Sequence, residues 1–249
     1  MASSLQAWQR VLGNAAAGGE AFEIGGLVGS IAPIARSRSI LNAVAGPRGL
    51  GFSAGLLDEI DARYRSAGID AWGVWVHEDD PRAGKALRDA GLVVDSRPTA
   101  MAIDLAELAD ASHIDGVSVE RCGDLAALAQ VMGAGYGFPS EFLTHGLPGL
   151  LDDGHGWLAS VDGEPASALV LVYHGGDAGV YLVATAPELR GRGAAGAALH
   201  RALLQARAEG CTTSTLQASE MGRSVYARLG YSDLGAYHLW ERRRPAQNP

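Results

Sequence analysis

The sequence predicts an α/β chain with a mixed sheet, organised as two halves of like element order. Three observations carry that expectation. Apolar residues recur at helical spacing in some stretches and crowd into β-branched runs in others, with glycines between them. The order strand, helix, strand, helix, Gly, strand is written twice, with Gly91 and Gly230 about 139 residues apart. A Gly-rich turn, Arg190-Gly191-Arg192-Gly193-Ala194-Ala195-Gly196, opens a helix directly after a strand.

In the first half, Leu5 to Ala16 is expected to be an amphipathic helix. Leu5, Trp8, Val11, Leu12 and Ala15 lie on one side, and Gly18-Gly19 ends it. Ile24 to Ala45 is β-branched and apolar, interrupted by glycines and Pro33. It reads as short strands, the last at Ser39 to Ala45. Gly46-Pro47-Arg48-Gly49 is a turn. Leu56, Leu57, Ile60 and Tyr64 form the apolar face of a helix from about Ser53 to Ala67, closed by Gly68. Ala71 to Val76 is a strand. Asp80-Pro81 opens a helix, since proline in the first turn lacks only an N–H that has no helical partner there. Gly91 ends that helix, and Val93 to Asp104 returns as a strand.

Leu105 to Asp115 is a polar connector. Beyond it, Gly116 to Arg121 is a strand, and Leu125, Leu128, Ala129 and Met132 mark a helix from Asp124 to Met132. Gly133 to Ser140 is a Gly-rich bend carrying Tyr136 and Phe138, and Glu141 to Leu150 is a short helix. Trp157–Val161 and Ser167–Tyr173 are antiparallel strands joined at Asp162-Gly163-Glu164-Pro165. Val180–Thr185 is a strand and Ala194–Ala208 a helix, with Ala195, Leu199, Ala202, Leu203 and Ala206 periodic. Thr213–Ala218 is a strand. Glu220–Leu229 is a helix with Met221, Val225 and Leu229 facing the core, and Ser232–Trp240 is the last strand.

A Gly-rich turn that opens a helix presents backbone N–H groups at the positive end of the helix dipole, which suits phosphate. Arg190 and Arg192 add charge at its mouth. The pattern Arg190-x-x-Gly193-x-Ala195 resembles the pyrophosphate loop of the GCN5-related N-acetyltransferases, the GNAT superfamily. Leu216 to Tyr231 resembles that superfamily's last block, in which a helix carries a Tyr, here Tyr226, and ends in Gly and an aromatic, here Gly230-Tyr231. The resemblance covers about Gly116 to Arg242. The repeated element order extends it to a tandem chain, with a degenerate GNAT-like domain at 1–112 and a catalytic GNAT domain at 116–249. The first half has Leu87 opposite Tyr226, and Gly51-Phe52-Ser53-Ala54-Gly55 opposite the basic loop. It therefore reads as a structural partner.

The resemblance implies acyl transfer from acetyl-CoA, or another acyl-CoA, as co-substrate directly to an amine. Val183, Ala184 and Thr185 would hold the pantetheine arm and thioester carbonyl through backbone groups. Arg190, Gly191, Arg192, Gly193, Ala194 and Ala195 would hold the pyrophosphate, and Ser219 would contact the cofactor where relatives carry Asn. Tyr226 would protonate the leaving thiolate, since a Tyr hydroxyl stays protonated near neutral pH. Gly222, where Ala is common, is expected to matter little. Tyr136, Phe138 and Glu141 are candidates to touch the acceptor. No carboxylate occurs in Val180–Thr185, so the base is open among Glu141, His145, His155, His174, Asp177 and a water relay.

Composition narrows the partners. A formal charge of −8 gives no reason to expect nucleic acid, and it favours a cationic small-molecule acceptor through long-range attraction. Cys122 and Cys211 make neither a disulfide framework nor a zinc signature, so no metal is expected and a reducing cytoplasm fits. Cys211 remains a formal candidate for an acyl-enzyme. The N-terminus lacks a signal-peptide pattern and no apolar run is long enough for a membrane span. Oligomeric state leaves no mark in the sequence. The rival functions are a non-catalytic acyl-CoA-binding sensor, and the same fold using a longer acyl thioester or aminoacyl-tRNA as donor.

Overall fold

The computed structural model describes residues 1–109 and 114–244. The first half comprises α1 (Ala2–Ala15), β1 (Glu20–Ile24), β2 (Leu27–Ile31), β3 (Ala43–Ala45), α2 (Ala54–Ser66), β4 (Ala71–His77), α3 (Pro81–Asp89), β5 (Val93–Ser96) and β6 (Thr99–Asp104). The second comprises β7 (Val117–Arg121), α4 (Leu125–Tyr136), α5 (Glu141–Gly146), β8 (Gly154–Val161), β9 (Glu164–His174), β10 (Asp177–Thr185), α6 (Ala194–Ala208), β11 (Thr213–Ala218), α7 (Glu220–Arg228) and β12 (Ser232–Arg243). The expected boundary at residue 112 lies outside the described residues.

Local chemistry places most boundaries where the sequence puts them. Ser53, Asp80, Asp124 and Ser219 accept backbone N–H bonds at the starts of α2, α3, α4 and α7. Four segments differ from expectation. Ser39–Leu41 is a single 3₁₀ turn, so only Ala43–Ala45 is strand. Val93–Asp104 breaks at Pro98, which has no N–H for a ladder, and β6 restarts at Thr99. The helix predicted to stop at Met132 continues to Tyr136 and ends at Gly137 with φ 76°, so the Gly-rich bend is half helix. The helix from Glu141 closes at Gly146 rather than Leu150.

The described strands join one sheet of twelve, ordered β1-β2-β3-β4-β12-β6-β11-β10-β9-β8-β7, with β5 beside β12. Among the described residues each half contains one parallel pair, β3 with β4 and β10 with β11, and each pair is connected through a helix. The last strand of each half lies in the other. β6 runs antiparallel to β11, Thr213 opposite Asp104 through Ala218 opposite Thr99, while β12 runs antiparallel to β4, Tyr237 opposite His77 through Arg243 opposite Ala71. The two halves are thereby interlocked.

Side chains alternate across the sheet as a two-residue period requires. Leu169, Leu171, Ala178 and Val180 pack on one face with Leu199, Ala202 and Leu203 of α6. Ala168, Val170 and Val172 pack on the other with Trp8 and Leu12 of α1 and Leu128 and Met132 of α4. α1 thus packs on strands of the second half, and within its own half Leu5 packs with Ala43, Ala45 and Trp75. Trp8 stacks on Tyr181 with ring centres 4.2 Å apart, and the Tyr181 hydroxyl donates to the Ser4 carbonyl at 2.8 Å. No described helix is long and apolar enough to cross a membrane.

Candidate active site

The site begins as a defect in strand pairing. β10 pairs with β11 only from Asp177 to Val180, opposite Thr213 to Leu216. Beyond Val180 the two strands separate. On its other edge β10 slips register against β9 between Tyr181 and Ala184, around Leu182, which sits at φ 54°. A non-glycine residue in that left-handed region marks a strained bulge of the kind that clusters at functional sites.

The gap between the separated strands opens into a cleft of about 920 Å³. Of the residues expected at a donor site, Val183, Ala184, Thr185, Arg190, Gly191, Gly193, Ala194, Ala195 and Ser219 line it, and so does Tyr226. The turn after β10 is a 3₁₀ turn at Pro187–Leu189, followed by Gly191 at φ 78° and Gly193 at φ 81°. Gly193 is the N-cap of α6, and no side chain caps that helix. Its first N–H groups thus have no side-chain acceptor and lie at the cleft wall, where a phosphate would find both donors and a favourable dipole. Arg190, Arg201 and Arg228 line the same cleft, and no carboxylate does among the described residues. On a chain of net charge −8 this is a local basic surface, suited to a polyanion.

Arg192 departs from expectation in its side chain, which pairs with Asp162 of the β8–β9 turn at 2.6 Å instead of adding charge to the cleft. Any role for it in the cleft falls to its backbone. Phe138 and Glu141 do not line the cleft either. Phe138 stacks behind Tyr136, with centres 5.8 Å apart, and Glu141 is exposed on α5. Tyr136 does line it, with its ring half exposed and its hydroxyl donating to the Val183 carbonyl at 2.9 Å. Burial of that hydroxyl, with Tyr226 near, raises its pKa well above the ordinary phenol value.

Tyr226 is 8% exposed, and burial pushes its pKa up to about 12. Its ring folds back over Gly222, where an added Cβ would come within 2.9 Å of Cε2. Gly222 therefore shapes this ring, contrary to the expectation that it matters little. α7 turns in part differently from its predicted pattern. Met221 is 73% exposed and lines the cleft with Val225, while Leu229 both packs on the core and borders the cleft. An apolar stripe facing a ligand groove has the same period as one facing a core.

The candidate bases all sit elsewhere. His155 accepts from Arg121 at 2.5 Å, while Asp177 takes hydrogen bonds from Thr213 and Thr215. Glu141, His145 and His174 lie on α5 and at the end of β9, and none of the five lines the cleft. Cys211 is buried at the opposite end of β11, with its pKa raised by burial, and also lies off the cleft.

Besides Arg201 and Arg228, three contributors escaped the sequence. Gly135 packs flush on β10, where an added Cβ would approach the Ala184 Cβ to 2.9 Å and both N and O of Thr185 to 3.1 Å. Ser167 donates to the Ala184 carbonyl at 2.8 Å. The side chain of Ile114 lies against Gly193. Only Gly135 left a signal, as part of a Gly-rich run.

These features agree with the comparisons. Residues 130–231 match the model of the acetyltransferase (GNAT) family. This stretch is a GNAT-family domain. The whole chain shares its fold with solved GNAT structures. One is a GCN5-related N-acetyltransferase from Kribbella flavida, 20% identical, covering 96% of this chain and 95% of that one at a TM-score of 0.69. A second, from Sphaerobacter thermophilus, is 17% identical over 90% of this chain and 83% of that one, TM-score 0.63. A third is a tandem GNAT protein from the clavulanic acid biosynthesis pathway, 14% identical over 93% and 82% of the two chains, TM-score 0.60. At these identities the likeness is one of fold. No curated protein matches the chain.

Proposed function

We propose that the chain is an acyltransferase of the GNAT type, using acetyl-CoA as donor and a small-molecule primary amine as acceptor, in a ternary complex within the cytoplasm. The observation that carries this is the uncapped start of α6 at the wall of a large cleft whose charged side chains are basic. The backbone at Arg192–Ala195 and the Arg190 side chain would hold the pyrophosphate. The open edge of β10 at Val183–Thr185 would take the pantetheine arm.

Transfer then needs no covalent enzyme intermediate. The amine nitrogen attacks the thioester carbon, its ammonium proton leaves to water, and the oxygen carries the developing charge beside the β10 amides. Preorganised donors of this kind contribute roughly 3 kcal/mol each to a transition state. As the C–S bond breaks, Tyr226 gives its proton to the sulfur and is reprotonated from solvent. A phenol at about 12 is a weak acid for this task. The same burial that raises it also raises the basicity of a thiolate formed beside it, so the transfer remains feasible.

A second reading rests on one observation, the lack of a carboxylate or unencumbered histidine among the described cleft-lining residues. A non-catalytic acyl-CoA sensor would need no base. The Tyr226 placement favours the enzyme, with water as proton relay. Titration with acetyl-CoA followed by a panel of amines decides between them. Tight binding of acetyl-CoA without turnover on any amine would support the sensor.

A further inference from the structure

We infer that Tyr136 is a positioning residue whose hydroxyl holds the bulged end of β10 in its transfer-competent shape by pinning the Val183 carbonyl. The inference deepens the acyltransfer reading and rests on it, although its structural arm can be tested without turnover. Three observations converge on the bulge. Leu182 is held at φ 54° and the register to β9 slips between Tyr181 and Ala184, a conformation that persists only when its surroundings enforce it. The Val183 carbonyl accepts from Tyr136 at 2.9 Å, and the next carbonyl, that of Ala184, accepts from Ser167 at 2.8 Å. Gly135, beside Tyr136, lies flush on Ala184 and Thr185, so the last turn of α4 is seated directly on the bulge.

The seating is reciprocal. Arg190, from the phosphate loop, donates to the Gly135 carbonyl at 3.2 Å. The α4 turn thus reaches into β10 through Tyr136 and is held in turn by the loop after β10. The chemical consequence concerns charge. A thioester oxygen turning into an oxyanion is destabilised by any backbone carbonyl aimed at it. The Ala184 carbonyl is engaged on the β9 edge and the Val183 carbonyl by the Tyr136 hydroxyl, so neither is left as a bare acceptor beside the reacting centre. Tyr136 can do this because its ring stacks on Phe138, which fixes its approach from one side. Its effect on transfer is through the bulge, and direct touch with the acceptor is not required.

Tyr136→Phe removes the hydroxyl and keeps the ring. Hydrogen exchange in the peptide spanning 181–186 of the full chain should accelerate, by roughly tenfold for the loss of one hydrogen bond of about 1.4 kcal/mol. Turnover should fall by a comparable factor of about ten, with the acceptor KM and the acetyl-CoA Kd unchanged, as expected for an interaction felt only in the transition state. Ser167→Ala should accelerate exchange in the same peptide and serves as an independent variant. Unchanged exchange at 181–186 in Tyr136→Phe overturns the inference, whatever the enzyme's activity. A raised acceptor KM at constant kcat also overturns it, because Tyr136 would then bind the acceptor directly. If the wild-type chain shows no turnover while exchange accelerates as described, the acyltransfer reading fails and the pinning of the bulge stands.

Discussion

In the first half, β3 leads through residues 46–53 into α2, and Ser53 caps that helix by accepting from Leu56 N. In the second half, β10 leads through the Gly-rich turn into α6, which starts at Gly193 with no side-chain cap. The first half then closes what the second leaves open. Asp80, the N-cap of α3, reaches across to accept from Gly49 N at 3.1 Å, and Arg48 pairs with Asp79 at 3.3 Å. Leu50 and Phe52 fall inward beside Trp75 and Tyr237, leaving about 20 Å³, which is room for one water. The corresponding second-half cleft measures about 920 Å³. The same strand-and-helix plan differs in how the helix begins: in one half Ser53 caps α2 and Asp80 ties down the loop before it, while in the other α6 starts at the cleft with no side-chain cap.

The largest expected effect concerns the interlock of the halves. A chain restricted to 116–249 lacks β6, the strand seated between β11 and β12. We expect it to show no cooperative thermal transition by circular dichroism. A stably folded fragment would mean that the strand exchange is dispensable. Next is the open cleft itself. Gly193→Glu sets a carboxylate at the anion site and should weaken acetyl-CoA binding by at least about 100-fold, the scale expected when a charge-assisted hydrogen bond is replaced by a repulsion. Gly49→Glu controls for the backbone strain, since Gly49 has a similar φ of 79°, and Gly193→Ala controls for the contact of a Cβ with Ile114. Gly49→Glu should leave donor binding intact, and equal loss in both glutamate variants would point to unfolding.

Tyr226→Phe should lower kcat by about 100-fold, within the range of general acid catalysis, and spare donor affinity. An unaltered rate removes Tyr226 from the mechanism. A smaller effect tests how the exchanged strand is anchored in the closed half. Burial alone would raise the pKa of Asp61, but hydrogen bonds from Arg65, Trp72 and Arg244 outweigh it and hold the pKa at about 2. A carboxylate depressed below its unfolded value contributes stability above about pH 4 that is lost as pH falls toward 2. Asp61 should therefore contribute about 2 kcal/mol near neutral pH, and Asp61→Asn should flatten the acid limb of the stability curve. Parallel acid limbs in the two proteins would show that Asp61 does not hold β12.

Much of this is legible in the sequence because its signals are local. Gly193 before an apolar helical repeat announces α6, and Asp80-Pro81 announces α3, to the residue. Motif alone pairs the Tyr226 helix with the Gly-rich loop before α6, and the structure brings them to one cleft. What escapes depends on tertiary register. Nothing in β6 or β12 says which parallel pair it will join, because both strands present the same alternation to either neighbour. Ser167 acquires its role only from the bulge opposite it. The exposure of Met221 has no signature of its own, because a groove and a core ask for the same spacing. The five candidate bases lie off the cleft for the complementary reason, as residue type alone carries no position.

The central claim is that one half is open and the other closed by its own side chains. The most direct test is a calorimetric titration of the full chain with acetyl-CoA, beside Asp80→Ala, which removes the closing carboxylate and the α3 cap. The account predicts one site per chain in both proteins, because α2 stays capped by Ser53 and Phe52 still fills the first-half cavity, with Asp80→Ala less stable by about 1 kcal/mol. Two sites in the wild-type chain, or none, would contradict it.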